Sequence, residues 1–494
     1  MPEQTPADQY STWVGLIYVF NLIVGTGALT LPAAFNRAGW ALGLCVILIL
    51  AFISFVTVTF VIETMASANA ILTWQRIQDR KKFSGESGLS NSDSEDTPLV
   101  SPVTNSPERT NTCYRYYMIN ERIEMGEMAS LFFNKVGTTL FYICLAVYLY
   151  GDLSIYGAAI GKSMADVACT YQPLNFTCNN TIPDDVACWE GSSVNRLDAY
   201  RIFLTTFIMV LGPFVFFNVQ KTKYLQVITS MMRWMAFGIM IAYAARTLIV
   251  SGPQNSPPAA NVLGIPGLFG ACVYSFMCHH SLPALVAPIS NKSTLKRSLF
   301  LDYVLIAAFY LLLALTGAFA FAHIDDLYTL DFGPRGAGDC TTSTNMFLIM
   351  TEYFLALFPV FTLSTSFPII AITLRNNLQS LFLNKDNTYN FCLRKMTFPI
   401  LAVVPPYAIA MTTKDLSILV GITGSYAGAG IQYLIPAFLV YYARKKTNDV
   451  IGLGVTNKFA SPFFSHYWLT FVVLWAFACM IIVTVNVYEI HSVS

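Results

Sequence analysis

The stretch Phe20-Asn-Leu-Ile-Val-Gly-Thr-Gly-Ala-Leu-Thr-Leu-Pro32 lies inside a long apolar run near the start of the chain. Gly25 and Gly27, followed by Pro32, weaken a helix near the middle of that run, because glycine and proline are the least favourable helix residues. In a bilayer, backbone groups freed by such an interruption find no water to pair with. An interruption therefore survives only inside protein or beside a water-filled cavity. The stretch predicts a membrane-spanning helix that is interrupted halfway.

The composition agrees with a membrane protein. Of 494 residues, 55% are hydrophobic and only 12% are charged, whereas a soluble domain carries about 25% charged residues. The net charge is +1 and the Lys and Arg residues form no basic stripe, so we expect no nucleic-acid partner. No basic region precedes the first apolar run, which favours a retained span over a cleaved signal peptide. The lipid bilayer is therefore the expected environment.

Counting stretches of about 20 apolar residues predicts an all-α polytopic protein with about eleven transmembrane helices. The predicted spans are residues 12–34, 39–66, 137–160, 200–219, 224–249, 264–289, 299–322, 344–373, 397–412, 416–441 and 465–488. As regions, 12–66 holds spans one and two, 137–160 span three, 200–249 spans four and five, 264–441 spans six to ten, and 465–488 span eleven. The intervening regions are a tail at 1–11, a long and largely disordered loop at 67–136, a loop at 161–199 and a tail at 489–494.

The basic residues of the loops predict the orientation. Lys and Arg are roughly three times as frequent in alternate loops that include 67–136, which places that loop and the N-terminus in the cytosol. The loop at 161–199 is then outside, where Asn175-Phe-Thr and Asn179-Asn-Thr could be glycosylated. Four outer cysteines allow three pairings into two disulfides, and the sequence does not choose among them: Cys169, Cys178, Cys188 and Cys340. We expect the plasma membrane or an endolysosomal membrane.

A second interruption lies five spans after the first. The sixth span reads Gly270-Ala-Cys-Val-Tyr-Ser-Phe-Met-Cys-His-His-Ser-Leu-Pro283 and carries polar residues and a proline beyond its middle. Paired interruptions in corresponding positions indicate a transporter built from inverted repeats. We predict a LeuT-like five-plus-five repeat, with the eleventh helix as an addition. The alternative for either interruption is close helix packing at small residues.

The two interruptions predict a binding site for a zwitterion. Half-helix N-termini carry partial positive charge and suit a carboxylate, while unwound carbonyls suit an ammonium group. We assign the carboxylate to the backbone of Gly25-Thr26-Gly27 and the ammonium group to carbonyls near Ser275–Cys278. The predicted substrate-binding residues are Gly25, Thr26, Gly27, Ser275, Phe276 and His279. A histidine inside a span also commonly bridges helices as a donor, and that alternative stays open for His279.

Other polar residues at membrane depth are candidates for ions. Asn21 lies one turn before the first interruption, and the eighth span carries Thr365 and Ser366, whose hydroxyl oxygens suit an alkali cation. The alternative is that these hydroxyls bond to their own helix. Asp152 and Arg233 are ionisable groups inside spans, which are costly and often functional. We predict that they form a proton relay or, preferably, a structural pair.

No enzyme site is evident in the sequence. A Walker loop, a zinc-ligand spacing and a nucleophile elbow with its partners are all missing. We therefore expect no catalytic residue, no bound metal and no cofactor, with either Na⁺ or H⁺ as the coupling ion.

The string Asn21-Leu-Ile-Val-Gly-Thr-Gly-Ala-Leu resembles the Asn-x-x-x-Gly-Ser/Thr-Gly signature of the amino acid/auxin permease family, part of the amino acid–polyamine–organocation superfamily. Within that family, the Tyr-Leu-Tyr-Gly-Asp of 148–152 and the Val-Gly-Ile-Thr-Gly of 420–424 resemble the transmembrane protein 104 family. The resemblance implies an eleven-span inverted-repeat fold with a cytosolic N-terminus. It also implies amino acid transport coupled to sodium or protons.

The resemblance also assigns residues. The family's sodium site uses the first-span Asn, matched by Asn21, and an eighth-span Thr, whose position here is Ser366 beside Thr365. The family's Phe-x-x-His motif matches Phe276 and His279, and His280 follows where many relatives have Pro. We expect a secondary active transporter of small neutral amino acids. The alternatives are an amino-acid sensor that signals through the 68–128 loop and, with less support, a passive channel. Protein partners stay unknown.

Overall fold

The computed structural model describes residues 9–86, 116–172, 182–217, 223–333, 345–383, 390, 393–452 and 455–493. Within these ranges the chain is helical, and the only extended pairing is two isolated bridges, Tyr10 with Ile289 and Ala187 with Asn195. The predicted fold class, an all-α polytopic membrane protein, is confirmed. The glycosylation candidates Asn175 and Asn179, together with Cys178 and Cys340, lie outside the described residues.

The described residues of the first half of the chain form seven α-helices. They are α1 (Thr12–Ile23), α2 (Thr26–Ala38), α3 (Trp40–Glu86), α4 (Met125–Phe132), α5 (Lys135–Ala168), α6 (Arg196–Leu211) and α7 (Lys223–Ser251). A 3-10 segment, Gly212–Phe216, extends α6. Asparagine caps the start of α5, where the Asn134 side chain accepts a hydrogen bond from the Gly137 amide at 2.8 Å.

In the second half, eight α-helices lie within the described ranges. They are α8 (Ile265–Ser275), α9 (Leu282–Val286), α10 (Leu295–Ala320), α11 (Met346–Phe382), α12 (Phe398–Thr412), α13 (Leu416–Thr423), α14 (Ile435–Val450) and α15 (His466–Val493). Two π-helical turns, Gly424–Gly428 and Gly430–Leu434, join α13 to α14 in one continuous span. A 3-10 helix, Tyr328–Phe332, lies between α10 and α11.

The count of spans agrees only in part with the prediction. In the described part of the chain, nine helices are long and apolar enough to cross a membrane, and the bent pair α1 and α2 makes a tenth. The predicted sixth span is present only as a short apolar helix, Val262–Ser275, followed by an unwound segment and the five-residue α9. The predicted eleventh span is present as α15, whereas the total of eleven spans and the inverted repeat stay predictions.

The predicted disordered loop at 67–136 is wrong at both of its ends. Helix α3 continues past residue 66 to Glu86, and Ala68, Ala70 and Ile71 are still buried. On the far side, α4 packs its Met125 and Met128 side chains into the core. The physical reason is burial: residues that pack against the bundle gain enough to be ordered, whatever the composition of the middle of the loop.

The Asn69 side chain joins these two ends of the loop. Its Oδ1 accepts hydrogen bonds from the backbone amides of Asn120 at 3.2 Å and Glu121 at 3.0 Å, and its Nδ2 donates to the Glu121 carbonyl at 3.3 Å. Nearby, Arg76 forms an ion pair with the Glu121 carboxylate, which lowers the pKa of Glu121. The segment that precedes α4 is therefore anchored to α3.

Glycines set the position of α8 in the bundle. A Cβ added at Gly424 would lie 2.1 Å from the Gly270 carbonyl oxygen, and one added at Gly270 would lie 2.5 Å from the Gly421 carbonyl oxygen. Only glycine permits two helix backbones to approach this closely. The α13 span therefore lies directly against α8.

Two charged contacts tie the ends of the bundle. Arg444 of α14 binds both carboxylate oxygens of the buried Glu63 at 2.7 Å, and Glu63 also accepts the Ser461 amide at 2.8 Å, so α3, α14 and the segment before α15 are joined. Elsewhere, Lys162 of α5 pairs with Asp326, whose second oxygen accepts the Leu416 amide at 2.8 Å. A disulfide between Cys169 and Cys188 closes the loop after α5.

Candidate functional site

The first break is the pair Val24–Gly25 between α1 and α2, whose axes differ by 53°. The Gly25 amide bonds to the Ile23 carbonyl at 2.9 Å, which is a three-residue turn rather than a helical one. Among the described residues no side-chain cap is present at the N-terminus of α2, although Thr26 and Gly27 are buried. The interruption predicted from Gly25-Thr26-Gly27 is therefore present, and it leaves the positive end of a helix inside the protein.

The second break is residues 276–281, between α8 and α9. The Ser281 and Leu282 amides both turn back to the Cys278 carbonyl, at 3.1 and 2.9 Å, so the segment is a compact non-helical loop. Its residues are mostly buried, with Phe276, Cys278 and His279 fully enclosed. Helix α8 ends here, so its last carbonyls present the negative end of a helix to the protein interior.

The two breaks meet at Gly27 and Ser275. A Cβ added at Gly27 would lie 2.5 Å from Ser275 Cα and 2.9 Å from its amide nitrogen, so the start of α2 lies flush against the end of α8. Gly25 has a different role: its added Cβ would meet only the Leu22 carbonyl, at 4.0 Å. Close packing, the alternative weighed for this motif, therefore explains Gly27, whereas Gly25 supplies the non-helical turn.

Tyr310 of α10 bridges both breaks. Its hydroxyl oxygen lies 2.9 Å from the Ile23 carbonyl oxygen and 2.9 Å from the Ser275 carbonyl oxygen. A hydroxyl has one hydrogen, so it donates to one of these carbonyls at a time. The side chain is fully buried. A tyrosine in an apolar span gives no special signal in a sequence, and this residue was not predicted.

Phe276 and His279 face helices other than α1 and α2. The Phe276 ring packs against the rings of Tyr310 and Tyr303, with centroids 5.2 and 6.2 Å away. His279 Nε2 lies 2.9 Å from the Thr57 hydroxyl of α3. Thr57 also lies within hydrogen-bond distance of the Ile53 and Ser54 carbonyls. His279 thus bridges α3 to the second break, and its part in binding substrate stays a prediction.

The predicted pair of Asp152 and Arg233 is not formed. Asp152 of α5 accepts a hydrogen bond from the hydroxyl of Tyr274, one residue before the end of α8. Arg233 of α7 donates instead to the backbone carbonyl of Asn21 in the last turn of α1. The sequence showed two opposite charges at membrane depth, but it could not show which way each helix is rotated. The carboxyl group belongs to the second break and the guanidinium to the first.

The hydroxyl groups proposed for an ion bond to their own helix. In α11, the Thr365 and Ser366 hydroxyls donate to the Thr362 carbonyl at 2.8 and 3.2 Å. This is the local alternative that the sequence left open. Asn21, the other proposed ion ligand, is buried with 8% of its surface exposed. Its Nδ2 has no hydrogen-bond partner within the described residues.

Further tyrosines surround the breaks and were also missed. Tyr156 of α5 faces Thr26, whose hydroxyl makes no hydrogen bond of standard geometry among the described residues. The Tyr148 ring lies 5.5 Å from the His280 ring and 6.4 Å from the Tyr274 ring. The motif Tyr-Leu-Tyr-Gly-Asp therefore matters through Tyr148 and Asp152, which lie one helical turn apart on one face of α5.

Comparison with known proteins shows the class of this chain. The family model described as "Transmembrane amino acid transporter protein" matches residues 8–83 and 111–486. That match spans both breaks and every helix that surrounds them. The description concerns a family of transporters rather than enzymes.

Individual relatives are similar over nearly their whole length. "Transmembrane protein 104 homolog" of Drosophila melanogaster is 51% identical, with 98% of each chain covered. "Transmembrane protein 104" of Homo sapiens is 49% identical, covering 97% of this chain and 96% of the relative. A homolog from Dictyostelium discoideum is 32% identical, covering 96% of each. These names state neither a substrate nor a coupling ion, and they confirm the family resemblance found from the sequence motifs.

Proposed function

Since the chain belongs to the family of transmembrane amino acid transporter proteins, we propose that it is a secondary active transporter of small neutral amino acids, driven by a sodium or a proton gradient. The family supports transport of an amino acid in general. The choice of substrate and of driving ion is argued from the two breaks.

One observation supports the proposal most directly. The uncapped N-terminus of α2 and the C-terminus of α8 lie against each other at Gly27 and Ser275. Opposite partial charges of two helix ends are therefore adjacent in a buried place. An amino acid carries a carboxylate and an ammonium group two bonds apart, across one carbon atom, and that spacing suits two adjacent helix ends.

Two ionisable side chains lie beside the two helix ends. Arg233 binds the carbonyl of Asn21 at the first break, and Asp152 binds the hydroxyl of Tyr274 beside the second. A guanidinium beside one break and a carboxyl group beside the other suit a zwitterion, which carries one charge of each sign. A substrate with a charged side chain would bring a third charge into this site. The arrangement thus favours neutral amino acids.

Close packing at the same place favours small ones. The α2 backbone already contacts Ser275, and the Phe276, Tyr303 and Tyr310 rings fill the space behind it. A bulky side chain would have to displace these rings, and aromatic side chains in a packed core resist displacement. Glycine, alanine and serine are the substrates that we expect to fit best.

Uptake into proteoliposomes tests the proposal. Purified full-length protein would be reconstituted and supplied with labelled glycine, alanine, serine, leucine, glutamate and lysine, each under a sodium gradient, a proton gradient or neither. We expect saturable uptake of the small neutral amino acids, several-fold above that of glutamate and lysine. Empty liposomes are the control. Absence of saturable flux for every amino acid under both gradients would refute the transporter.

A sensor remains the second candidate, and one observation favours it. The 116–134 part of the cytosolic loop is anchored by Asn69 and leads through α4 into α5, the helix that carries Asp152. A change at the second break could therefore reach the loop through a single helix. Deleting residues 87–112 distinguishes the two functions: transport would persist in the deletion variant if the chain is a transporter. A sensor would keep amino-acid binding and lose its downstream response.

A further inference from the structure

A guanidinium group is held at the end of α1. Arg233 donates to the Asn21 carbonyl, and beside this contact the Phe20 and Trp234 rings stack with centroids 4.4 Å apart. Two successive residues of α1 thus meet two successive residues of α7. The position of the guanidinium is fixed by the packing of both helices rather than by one flexible side chain.

No carboxylate neutralises Arg233 in the part of the chain that the structure describes, where the ion pairs involve other residues. The ionisable side chains that act on it electrostatically are the hydroxyls of Tyr156 and Tyr310. A cation inside a bilayer protein without a carboxylate partner is costly to hold. Its charge is set instead against the last carbonyls of α1, which carry the negative end of that helix.

The same carbonyls are the ligands that a coupling sodium ion would need. Unwound backbone carbonyls and the C-terminal ends of half-helices are the usual cation ligands of such transporters. A sodium ion at Asn21 would compete with the guanidinium for one carbonyl and would be repelled by its charge at short range. The Thr365 and Ser366 hydroxyls bring no negative charge that would offset this repulsion.

The Asn21 side chain also indicates an acceptor rather than a cation as the missing partner. Asn21 is 8% exposed, and its Nδ2 lacks a hydrogen-bond partner among the described residues. An amide N–H group is a donor, so it pairs with an oxygen that carries negative charge or a lone pair. Arg233, the Asn21 Nδ2 group and the start of α2 thus bring positive charge and hydrogen-bond donors to the last carbonyls of α1.

We propose that Arg233 is a built-in cation at the first break, that it takes the place of a coupling sodium ion at Asn21, and that transport by this chain is independent of sodium. The same group then adds its charge to the positive end of α2 that faces the substrate carboxylate. The transport part of this inference rests on the proposed function. The binding part, that sodium does not occupy Asn21, does not depend on transport.

Thermal unfolding of the purified full-length protein tests the binding part. Midpoints would be measured in NaCl, KCl and N-methylglucamine chloride at equal ionic strength. An ion that binds the native state raises the midpoint, by a few degrees when the site is well filled. We expect equal midpoints in the three salts. A saturable rise specific to sodium would overturn the proposal.

The variant Arg233→Gln tests the guanidinium itself, and Arg246→Gln is its matched control, because Arg246 is an exposed arginine on the same helix. We expect Arg233→Gln to have the lower midpoint and sodium, but not potassium, to restore part of the loss, because the Asn21 carbonyl is then free. Equal midpoints for the two variants, or no sodium response of Arg233→Gln, would overturn the proposal. If Arg233→Gln does not fold, Arg233→Lys keeps a cation and must be insensitive to sodium, like the unmodified protein.

Proteoliposome uptake separates this inference from the proposed function. Uptake that requires sodium would overturn the built-in cation and leave the transporter standing. Absence of uptake under every gradient would refute the transporter, while the sodium response of the midpoint would still decide whether Arg233 takes the place of the ion.

Discussion

The two breaks come from one kind of sequence signal and differ in almost every structural respect. The first is two residues long, and α2 continues beyond it to Ala38. The second unwinds residues 276–281, and only the five-residue α9 follows. The first has a guanidinium beside it, whereas the second has a carboxyl group. A pair of interruptions in register therefore predicts the place of a site, but each break acquires its own charge from the helices around it.

The second halves of the two broken spans, α2 and α9, are also held differently. The 3-10 helix Tyr328–Phe332 packs against α2, and its residues are buried. The segment after α9 is held by Tyr10, which precedes α1. The Tyr10 N–H donates to the Pro288 carbonyl at 3.2 Å, and the Tyr10 carbonyl accepts the Ser290 N–H at 3.0 Å. A 3-10 helix therefore holds α2, whereas the segment before α1 holds the chain that follows α9. Changes at the two breaks should consequently have unequal effects.

The largest effect is expected where the breaks touch. Gly27→Ala places a Cβ 2.5 Å from Ser275 Cα, and since the obstacle is backbone, α2 and α8 must separate. Overpacking costs about 1–3 kcal/mol, and about 1.4 kcal/mol is a factor of ten, so we expect uptake to fall about tenfold or more. Gly267→Ala is the control, because its added Cβ meets nothing within 4 Å. Equal uptake by both variants would show that the contact is irrelevant to transport.

The next effect concerns the bridge between the breaks. Tyr310→Phe keeps the ring and removes the hydroxyl, leaving the Ile23 and Ser275 carbonyls without this donor. We expect unfolding free energy to fall by about 1 kcal/mol and uptake to change several-fold. Tyr200→Phe is the matched control, since its buried hydroxyl donates to the Ala410 carbonyl at 2.6 Å, away from both breaks. It should lose similar stability and keep normal uptake; if both variants transport alike, Tyr310 is structural only.

A smaller, pH-dependent effect is expected at the 3-10 helix Tyr328–Phe332, which packs against α2. Burial raises the pKa of Asp331 well above its usual value, and the neighbouring Asp325 raises it further. A carboxyl group whose pKa is higher in the folded state stabilises the fold at acid pH, and that stability is lost as the pH rises through the folded pKa. The thermal midpoint should therefore fall as the pH rises above about 4, the usual pKa of the unfolded group.

Asp331→Asn should flatten this dependence, because the amide does not titrate. Asp185→Asn, which changes an exposed carboxyl group on another loop, should leave the slope as it is. Lys162, Asp326, Lys414 and His323 also act on this cluster, so the measurement compares slopes rather than absolute midpoints. Identical slopes for Asp331→Asn and the unmodified protein would show that Asp331 does not cause the pH dependence of the thermal midpoint.

The smallest effect is expected at the hydroxyls of α11. Thr365→Ala and Ser366→Ala each remove a hydrogen bond from a hydroxyl to the Thr362 carbonyl of the same helix. Such local bonds contribute little to a helix. We expect uptake to change less than about twofold, which is under about 0.4 kcal/mol. A large loss that sodium concentration relieves would instead place a cation there and contradict the built-in cation at Arg233.

Much of the fold could be predicted because a bilayer imposes strict rules. Apolar length locates helices, and glycine with proline locates the first break, since freed backbone groups must be sheltered. The end of α3 was missed for the opposite reason. Residues beyond 66 are less apolar, so a prediction from hydropathy ends the span there. The helix continues because these residues pack against α4 and because Asn69 forms hydrogen bonds with the segment before α4.

The partners within the site could not be predicted in the same way. Asp152 and Arg233 were predicted as candidates because burying an ionisable group inside a membrane span costs free energy. The partner of each side chain depends on how its helix is rotated about its axis, which the sequence of one helix does not specify. Tyr310 and Tyr274 gave no signal because tyrosine is common in spans. Their roles come from two carbonyls and one carboxyl group on other helices.

The single hydrogen of the Tyr310 hydroxyl has a consequence for ligand choice. Two carbonyls share that one hydrogen, whereas a primary ammonium group brings three, so a bound amino acid could satisfy both carbonyls and also donate to the tyrosine oxygen. Affinity should then follow the number of N–H bonds on the ligand. We expect alanine to compete best, N-methylalanine less well, and the trimethylated betaine of alanine not at all. Competition by the betaine at the same concentration as alanine would contradict this exchange of donors.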